Sequence, residues 1–259
     1  MLAVERRELL LRTVGASHAV TVSSLAERLH VSPMTIRRDL DVLASEGRLR
    51  RVHGGALGAP DPRGGGHPGG LQGSFADHAD DRCLEKDRIG AVAADFVQDG
   101  ETILLDIGTT TLHLARHLHG RAITVITTNL AACDELLPDP KIELILLGGL
   151  VDRRSRSMVG FLAEEALRQV RADRAFLGAS AIRADLSVLD DTAVDLRLKR
   201  GMIDAAAQVI LLVDAQKFGQ TRPARVCGPD ELDVLITDAA APAETLAGFA
   251  AAGVRVVRV

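Results

Sequence analysis

Two hydrophobic periodicities divide the chain. Up to about residue 56, apolar residues recur at the three- and four-residue spacings of amphipathic helices. From Phe75 onward, short apolar runs alternate with helical patterns, which is typical of a parallel β-sheet covered by helices on both faces. Residues 57–74 are rich in Gly and Pro and follow neither period. The pattern therefore predicts an α/β protein with a small N-terminal domain (1–56), a flexible linker (57–74) and a larger domain (75–259).

The N-terminal domain has the pattern of a winged helix-turn-helix. Helices are predicted over residues 5–14, 22–29 and from Pro33 onward, with a short turn before the third. Ser32 is a good N-cap, and Pro33 fits the first helical position because no N–H is needed there. The third helix buries three apolar residues at helical spacing: Ile36, Leu40 and Leu43. After it, alternating basic and apolar residues over 48–53 predict a β-wing.

The outer face of the third helix suits the major groove of DNA. There Arg pairs with guanine and a Thr methyl group contacts thymine, while a basic wing lies along phosphates. We therefore predict contacts to double-stranded operator DNA from the following residues: Ser32, Met34, Thr35, Arg37, Arg38, Arg48, Arg50, Arg51 and His53. The alternative is an ordinary amphipathic helix with a solvated basic face.

The distribution of charge agrees with a nucleic-acid contact in the N-terminal domain. Residues 1–56 contain nine Arg and six acidic residues, a net charge of +3, whereas the whole chain carries −4 and the remainder therefore −7. A mildly basic head on an acidic body is the pattern expected when DNA contacts only the head.

Composition points to the cytoplasm. No apolar run approaches the ~20 residues that span a bilayer. The first seven residues lead straight into a charged helix without a signal-peptide pattern, so no membrane partner is expected. The three cysteines, Cys83, Cys133 and Cys227, are scattered without a CxxC motif, which predicts reduced thiols and neither disulfides nor a zinc site.

In the larger domain, polar residues and glycines follow the predicted strands. Ligands of open α/β sheets bind in the crevice at these carboxyl ends. Gly108 lets the backbone approach a ligand, and the helix that begins at Thr109 offers N–H groups to an anion. Lys217 adds a positive charge, while Asp106 and Asn129 are left for sugar hydroxyls. The candidate effector residues are Asp106, Gly108, Thr109, Thr110, Thr111, Thr128, Asn129, Gly148, Gly149 and Lys217.

Other ligand chemistries have weaker support. The fingerprint GxGxxG is absent, which disfavours a dinucleotide, and no other cofactor is expected. Gly and Thr after strands are also common turn residues, so any single loop carries little weight. His113, His117 and His119 are predicted to lie on a solvated helix face rather than in a metal site. No Ser-His-Asp or Cys-His grouping stands out, although sequence does not exclude one formed in space.

The N-terminal motif resembles the signature of the DeoR family of bacterial transcription regulators. The matching runs are Val31-Ser32-x-x-Thr35-Ile36-Arg37-Arg38-Asp39-Leu40 and Gly47-x-Leu49-x-Arg51-Val52-His53-Gly54-Gly55-Ala56. The larger domain resembles that family's sensor domain through Glu85-Lys86, Asp106-x-Gly108-Thr109-Thr110, Thr128-Asn129, Gly148-Gly149, Asp195 through Lys199-Arg200-x-Met202-Ile203, and Asp214-x-x-Lys217-Phe218-Gly219.

The resemblance implies a Rossmann-like parallel-sheet sensor domain, similar in fold to ribose-5-phosphate isomerase, that senses phosphorylated sugars. It also adds Asp195 to the candidate effector residues. Two departures fall on the presumed ligand rim: family members often have Gly within the segment matching Ser180–Ile182, and Glu where this chain has Asp195.

The leading hypothesis is a repressor that acts as a homo-oligomer and is controlled by a phosphorylated sugar or polyol. One alternative is a sugar-phosphate isomerase with an accessory DNA-binding head, in which Asp106, Asp195 and Lys217 would supply acid and base groups. Another is a constitutive DNA-binding protein whose second domain only oligomerises.

Overall fold

The computed structural model describes residues 6–11, 13, 19–29, 31–46, 48–52, 55–58 and 82–259. The chain divides into two compact units, residues 1–70 and 71–259. No helix in the described part of the chain is both long enough and apolar enough to cross a bilayer.

The first unit is a three-helix domain with a small antiparallel sheet. Its elements are α1 (6–11), β1 (Ala19–Thr21), α2 (Val22–Leu29), α3 (Pro33–Ser45), β2 (Leu49–Val52) and β3 (Gly55–Gly58). The sheet order is β1-β3-β2, with both pairs antiparallel. The predicted helix-turn-helix and wing are therefore confirmed, whereas β1 was not predicted. Strand β3 also continues two residues past the predicted start of the linker at 57.

Helix α3 begins and packs as its sequence predicts. The Ser32 hydroxyl accepts a hydrogen bond from the N–H of Thr35 at 3.1 Å. The predicted stripe is fully buried, together with residues of α1 and α2, and forms one core: Leu10, Leu25, Ile36, Leu40 and Leu43. This core fixes which face of α3 remains outside.

The second unit is built on a seven-stranded parallel sheet. Its strands, in spatial order, are β15 (Arg255–Arg258), β14 (Val234–Thr237), β12 (Ala206–Leu212), β9 (Ala172–Leu177), β4 (Thr102–Leu105), β5 (Thr124–Thr127) and β6 (Glu143–Leu146). The helices are α4 (Cys83–Ala94), α5 (Thr109–Arg116), α6 (Leu130–Leu136), α7 (Phe161–Arg168), α8 (Ala193–Ala205) and α9 (Ala243–Ala251). Separate apolar cores involve α4 to α6 and α7 to α9, which confirms the predicted α/β class.

Strand order places a switch point at the centre of the sheet. From β4 the chain proceeds outward to β5 and β6, and from the adjacent β9 it proceeds the other way to β12, β14 and β15. The loops after β4 and β9 therefore diverge, leaving a crevice at their carboxyl ends. Two small sheets, β7–β8 (Leu150–Asp152, Ser157–Val159) and β10-β11-β13 (Ala181–Ile182, Val188–Asp190, Ala224–Cys227), were not predicted.

A buried carboxylate connects α1 to α3 in the first unit. The side chain of Asp39 is only 3% exposed and accepts hydrogen bonds from Arg6 Nε at 2.5 Å and Arg7 Nε at 3.0 Å. Asp39 therefore points inward, although its sequence neighbours Arg37 and Arg38 are exposed.

We expect Asp39→Ala to lower the stability of the first unit by about 2 kcal/mol, because it removes the shared acceptor of two charged hydrogen bonds. Native-state hydrogen exchange of the α3 amides in the full chain measures this loss. Glu27→Ala, which removes an exposed carboxylate from α2, is the control. Equal protection of α3 in both variants would contradict the expectation.

Candidate functional site

The two loops at the switch point are joined directly. Asp106 follows β4, Gly178 follows β9, and the N–H of Gly178 donates to Asp106 Oδ2 at 2.9 Å. A Cβ atom at Gly178 would lie 3.4 Å from the Ile107 carbonyl oxygen and 3.8 Å from Asp106 Oδ2. These are ordinary van der Waals distances, so the hydrogen bond, rather than the absence of a side chain, joins the two loops.

Lys199 of α8 supplies the positive charge in this crevice. It is buried, and its Nζ donates to Asp106 Oδ2 and to the Gly178 carbonyl oxygen, the latter at 2.8 Å. Asp190 Oδ2 lies 3.1 Å from the same nitrogen. Burial alone would lower the pKa of Lys199, but the charges of Asp106 and Asp190 raise it above its ordinary value, so the ammonium stays charged.

Asp195 completes a group that we call the switch-point cluster: Asp106, Asp190, Asp195 and Lys199. The Thr192 hydroxyl donates to Asp195 Oδ2 at 2.6 Å. Burial, followed by the charge of Asp190, raises the pKa of Asp195 to about 7. Two of the three carboxyl groups contact the ammonium, and Asp195 carries part of a proton at neutral pH.

The first turn of α5 is open to an anion. Gly108 precedes it with φ 127°, a backbone conformation that favours glycine, and no side chain caps the helix. The leading N–H groups of a helix have no partner within it, and the helix dipole favours negative charge there. The Thr111 hydroxyl donates instead to the Asp106 carbonyl oxygen at 2.9 Å. The Thr111 hydroxyl is therefore engaged within the protein, whereas the turn still offers its leading backbone N–H groups.

Asn129 holds the neighbouring loop in place. It is fully buried, its Oδ1 accepts from the N–H groups of Ala131 and Ala132, and its Nδ2 donates to the Asp106 carbonyl oxygen at 3.3 Å. Asp106 is likewise engaged by Lys199 and Gly178. The structure thus gives both side chains protein partners at the positions where we expected sugar hydroxyls.

The β7–β8 hairpin lies against the end of β5. Met158 N–H donates to the Thr128 carbonyl oxygen at 2.8 Å. Position 149 has no room for a side chain, because a Cβ atom on Gly149 would lie 2.6 Å from the Val159 carbonyl oxygen. A Cβ atom on Gly148 would meet no atom within 4 Å. The hairpin turn carries two side chains that sequence analysis did not select, Arg153 and Arg154.

Lys217 lies on a short 3-10 helix (Ala215–Lys217) that follows β12. It is half-buried and has no ion-pair partner within the described residues. Asp214 caps this turn by accepting from the N–H of Gln216 at 3.0 Å. Because β12 is parallel to β9 and β4, the turn lies at the same edge of the sheet as the crevice.

Most of the predicted DNA-contacting residues that are described lie on the outside of the first unit. Met34 is 56% exposed, and Arg37, Arg38 and Arg48 are exposed as well. Thr35 is half-buried, and its hydroxyl lies 2.9 Å from the Ser32 hydroxyl. Arg48 Nη2 forms a surface ion pair with Glu8 at 3.0 Å. The side chains of Arg50 and Arg51, and all of His53, lie outside the described residues.

The expectation that all three histidines are solvated was wrong for His113. It is only 2% exposed because α4 packs over it. The side chains of His117 and His119 are 33% and 40% exposed. Across the described residues, no group of three or more His, Cys, Asp or Glu side chains is arranged to hold a metal ion.

Replacing Asp195 with Asn is expected to stabilise the protein increasingly as pH rises. An unfolded Asp carboxyl ionises near its ordinary pKa of 3.8, whereas this one stays protonated up to about 7 when folded. Between these values the folded state binds more protons, so rising pH removes on the order of 4 kcal/mol of wild-type stability through this residue. Asparagine has no charge to bury.

Thermal melts between pH 4 and 8 check this expectation. The gap in melting temperature between Asp195→Asn and wild type should widen as pH rises to about 7 and then level off. Asp204→Asn, an exposed carboxyl change on the same helix, is the control and should show no such widening. A gap for Asp195→Asn that is independent of pH would refute the expectation.

Each of the two units matches the model of a known domain family. The model of the DeoR-like helix-turn-helix domain matches residues 6–59, and that of the DeoR C-terminal sensor domain matches residues 82–239. The transcriptional regulator YgbI of Escherichia coli is 36% identical over 93% of this chain and 92% of its own length. The regulator GolR of Listeria innocua is 31% identical, covering 92% and 91%.

The glycerol-3-phosphate regulon repressor of Escherichia coli is 30% identical over 95% of both chains. Among solved structures, ribose-5-phosphate isomerase A of Methanocaldococcus jannaschii has 20% identity and a TM-score of 0.38, covering 51% of this chain and 53% of its own. The family models and the full-length relatives show that this chain belongs to the DeoR family of transcriptional regulators.

Proposed function

We propose that this protein is a transcriptional repressor whose affinity for operator DNA changes when a phosphorylated sugar or polyol binds at the switch point. The observation that carries the proposal is the uncapped first turn of α5, which opens beside the switch-point cluster in a chain that also has a DNA-reading head. One of its relatives is named as a regulator of a glycerol-3-phosphate regulon, which supports an effector of this class.

Charge orients such an effector in the crevice. Two carboxylates contact the single ammonium of Lys199 and Asp195 lies on the same helix, so this acidic cluster would repel a phosphate dianion. The phosphate is better placed at the first turn of α5, with Lys217 as a further positive charge. Hydroxyl groups of the effector would then face the cluster, because carboxylates accept hydrogen bonds from them.

The crevice is better suited to sensing than to isomerisation. A base for aldose–ketose exchange needs a carboxylate within hydrogen-bond reach of a carbon-bound proton. Asp106 is already engaged by Lys199 and Gly178, and Asp195 is one methylene shorter than the Glu that family members often have at this position. Because a misplacement of about 1 Å costs on the order of a hundredfold in rate, we do not assign catalysis.

We also propose that the protein acts in the cytoplasm as a dimer or higher homo-oligomer. One small head buries too little surface for tight, specific binding, so at least two heads would engage repeated half-sites. Arg37 and Arg38 would contact bases or phosphates, with Ser32, Met34 and Thr35 beside them. The basic wing would lie along the DNA backbone.

Arg37→Ala/Arg38→Ala should weaken operator binding and flatten its salt dependence by about one unit of slope for each phosphate that the variant no longer neutralises. Fluorescence anisotropy at several salt concentrations measures both quantities. Arg168→Ala/Arg171→Ala removes the same charge from exposed positions in the second unit and should leave both unchanged. Operator binding by the head variant that is as tight and selective as wild type would overturn the assignment.

Lys217→Ala should weaken the response to sugar phosphates while leaving effector-free DNA binding nearly intact. Thermal-shift screening against sugar and polyol phosphates identifies the effector, since a ligand of the native state raises its melting temperature. We expect the effector to change DNA affinity by a coupling energy of about 1–3 kcal/mol. Lys141→Ala, at the amino-terminal edge of the sheet before β6, is the control and should retain the response.

The same preparations distinguish a sensor from an enzyme. Robust interconversion of aldose and ketose phosphates, with no effect of those compounds on DNA binding, would overturn the sensor proposal. In that case Asp106→Asn or Lys217→Ala should abolish turnover.

A further inference from the structure

Helices α4 and α5 bring a thiol, an imidazole and a carboxylate together. Cys83 and Asp87 lie one turn apart on α4, whereas His113 lies on α5 and His117 is the residue that caps its C-terminal end. Gly90, two turns after Cys83, allows the close approach of the helices. A Cβ atom there would lie 2.7 Å from the backbone carbonyl carbon of His113.

The three groups form a chain of contacts. Cys83 Sγ lies 3.8 Å from His113 Nε2, and His113 Nδ1 lies 3.3 Å from Asp87 Oδ1. His117 Nε2 contacts the same carboxylate oxygen at 3.0 Å, and within the described residues the hydrogen-bond partner of Cys83 is His113 rather than His117. The imidazole of His113 is buried, whereas Cys83 is exposed. A small reagent can therefore reach the sulfur while the base behind it is held in place.

Asp87 determines which nitrogen of His113 carries the proton. Burial alone would raise the pKa of Asp87, but hydrogen bonds with His117 and His113 hold it below its ordinary value, so the group is an ionised acceptor. His113 Nδ1 must then be the donor, which leaves the lone pair of Nε2 facing the thiol. Burial lowers the pKa of His113 below its ordinary value, with a smaller contribution from the charges of Arg116 and Lys86, and this outweighs the opposing effect of Asp87.

Cys83 is the first residue of α4 and is exposed. The other two cysteines are less accessible. Burial and the charge of Asp134 raise the pKa of Cys133, and burial raises that of Cys227 to about 12.

We propose that Cys83 is an oxidation site for hydroperoxides, with His113 as its general base and Asp87 as the residue that positions His113. The sulfur attacks the peroxide oxygen, so an S–O bond forms while the O–O bond breaks. His113 takes the thiol proton and transfers it to the departing oxygen, which leaves as water when the oxidant is hydrogen peroxide. Sulfur is oxidised to a sulfenic acid and the peroxide is reduced.

The three cysteines of the full chain allow an internal comparison. The protein is exposed to hydrogen peroxide, the sulfenic acid is trapped with dimedone, and the modified peptides are quantified by mass spectrometry. Cys83 should be modified about tenfold faster than Cys133 or more, because general-base catalysis contributes at least that much. Modification of Cys133 at the rate of Cys83 or faster would overturn the proposal.

Two histidine variants test the base. His113→Gln should slow Cys83 oxidation by about tenfold or more, whereas His117→Gln keeps the Cys83–His113 contact and should change the rate by less than about twofold. The Cys133 rate and the melting temperature report whether each variant is folded. Equal slowing in both folded variants, or none in either, would refute the role of His113. If His113→Gln does not fold, His113→Asn in the same assay takes its place.

The variant Asp87→Asn tests whether Asp87 positions His113. In wild type, ¹⁵N chemical shifts should show His113 with its proton on Nδ1; in the variant they should move toward a mixture of tautomers, because the amide can also donate. Cys83 oxidation should slow in the same variant. Slower oxidation without a change in these shifts would assign Asp87 a merely structural role and contradict the proposal.

Discussion

The contact of the Lys199 ammonium with two carboxylates is the constraint on which the candidate effector site depends. It connects Asp106 after β4, Gly178 after β9 and Asp190 at the end of β11 to helix α8. Removing the ammonium and the carboxylates from water is costly. Their attraction offsets this cost only when the remaining hydrogen bonds of these groups are made. Gly178 N–H supplies one such bond. The loops at the switch point are therefore held in one arrangement before any ligand arrives.

These hydrogen bonds within the protein determine which polar groups remain to bind a ligand. The side chains of Asp106 and Asn129 have partners within the protein, and so does the Thr111 hydroxyl. The groups left include the backbone donors that open α5, the Thr128 hydroxyl, the half-buried Lys217 and the partly protonated Asp195. Such groups can bind a ligand and shift an equilibrium between states without transferring a proton from carbon. A sensor requires only that the ligand prefer one state of the protein.

Sequence predicted the large sheet better than the site. Strands such as Thr102–Leu105 were found because buried parallel strands appear as continuous apolar runs. The two-residue strand Ala181–Ile182 is too short for any period. Lys199 looks like a solvated helical lysine, because its partner Asp106 is 93 residues away in the chain. Likewise, His113 was assigned to solvent because the covering helix α4 is a tertiary contact that local periodicity does not contain.

In the first unit, buried and exposed charges lie on different faces of helix α3. One turn of α3 places Arg37 and Arg38 outside and Asp39 inside against Arg6 and Arg7. Dissolved salt screens exposed charges strongly and buried pairs much less. Contacts between Arg37 or Arg38 and phosphate would therefore weaken as salt displaces them, while the buried pairs of Asp39 would persist. Under the proposed assignment, the head would lose DNA at high ionic strength without losing its fold, because DNA contact and folding would depend on different arginines.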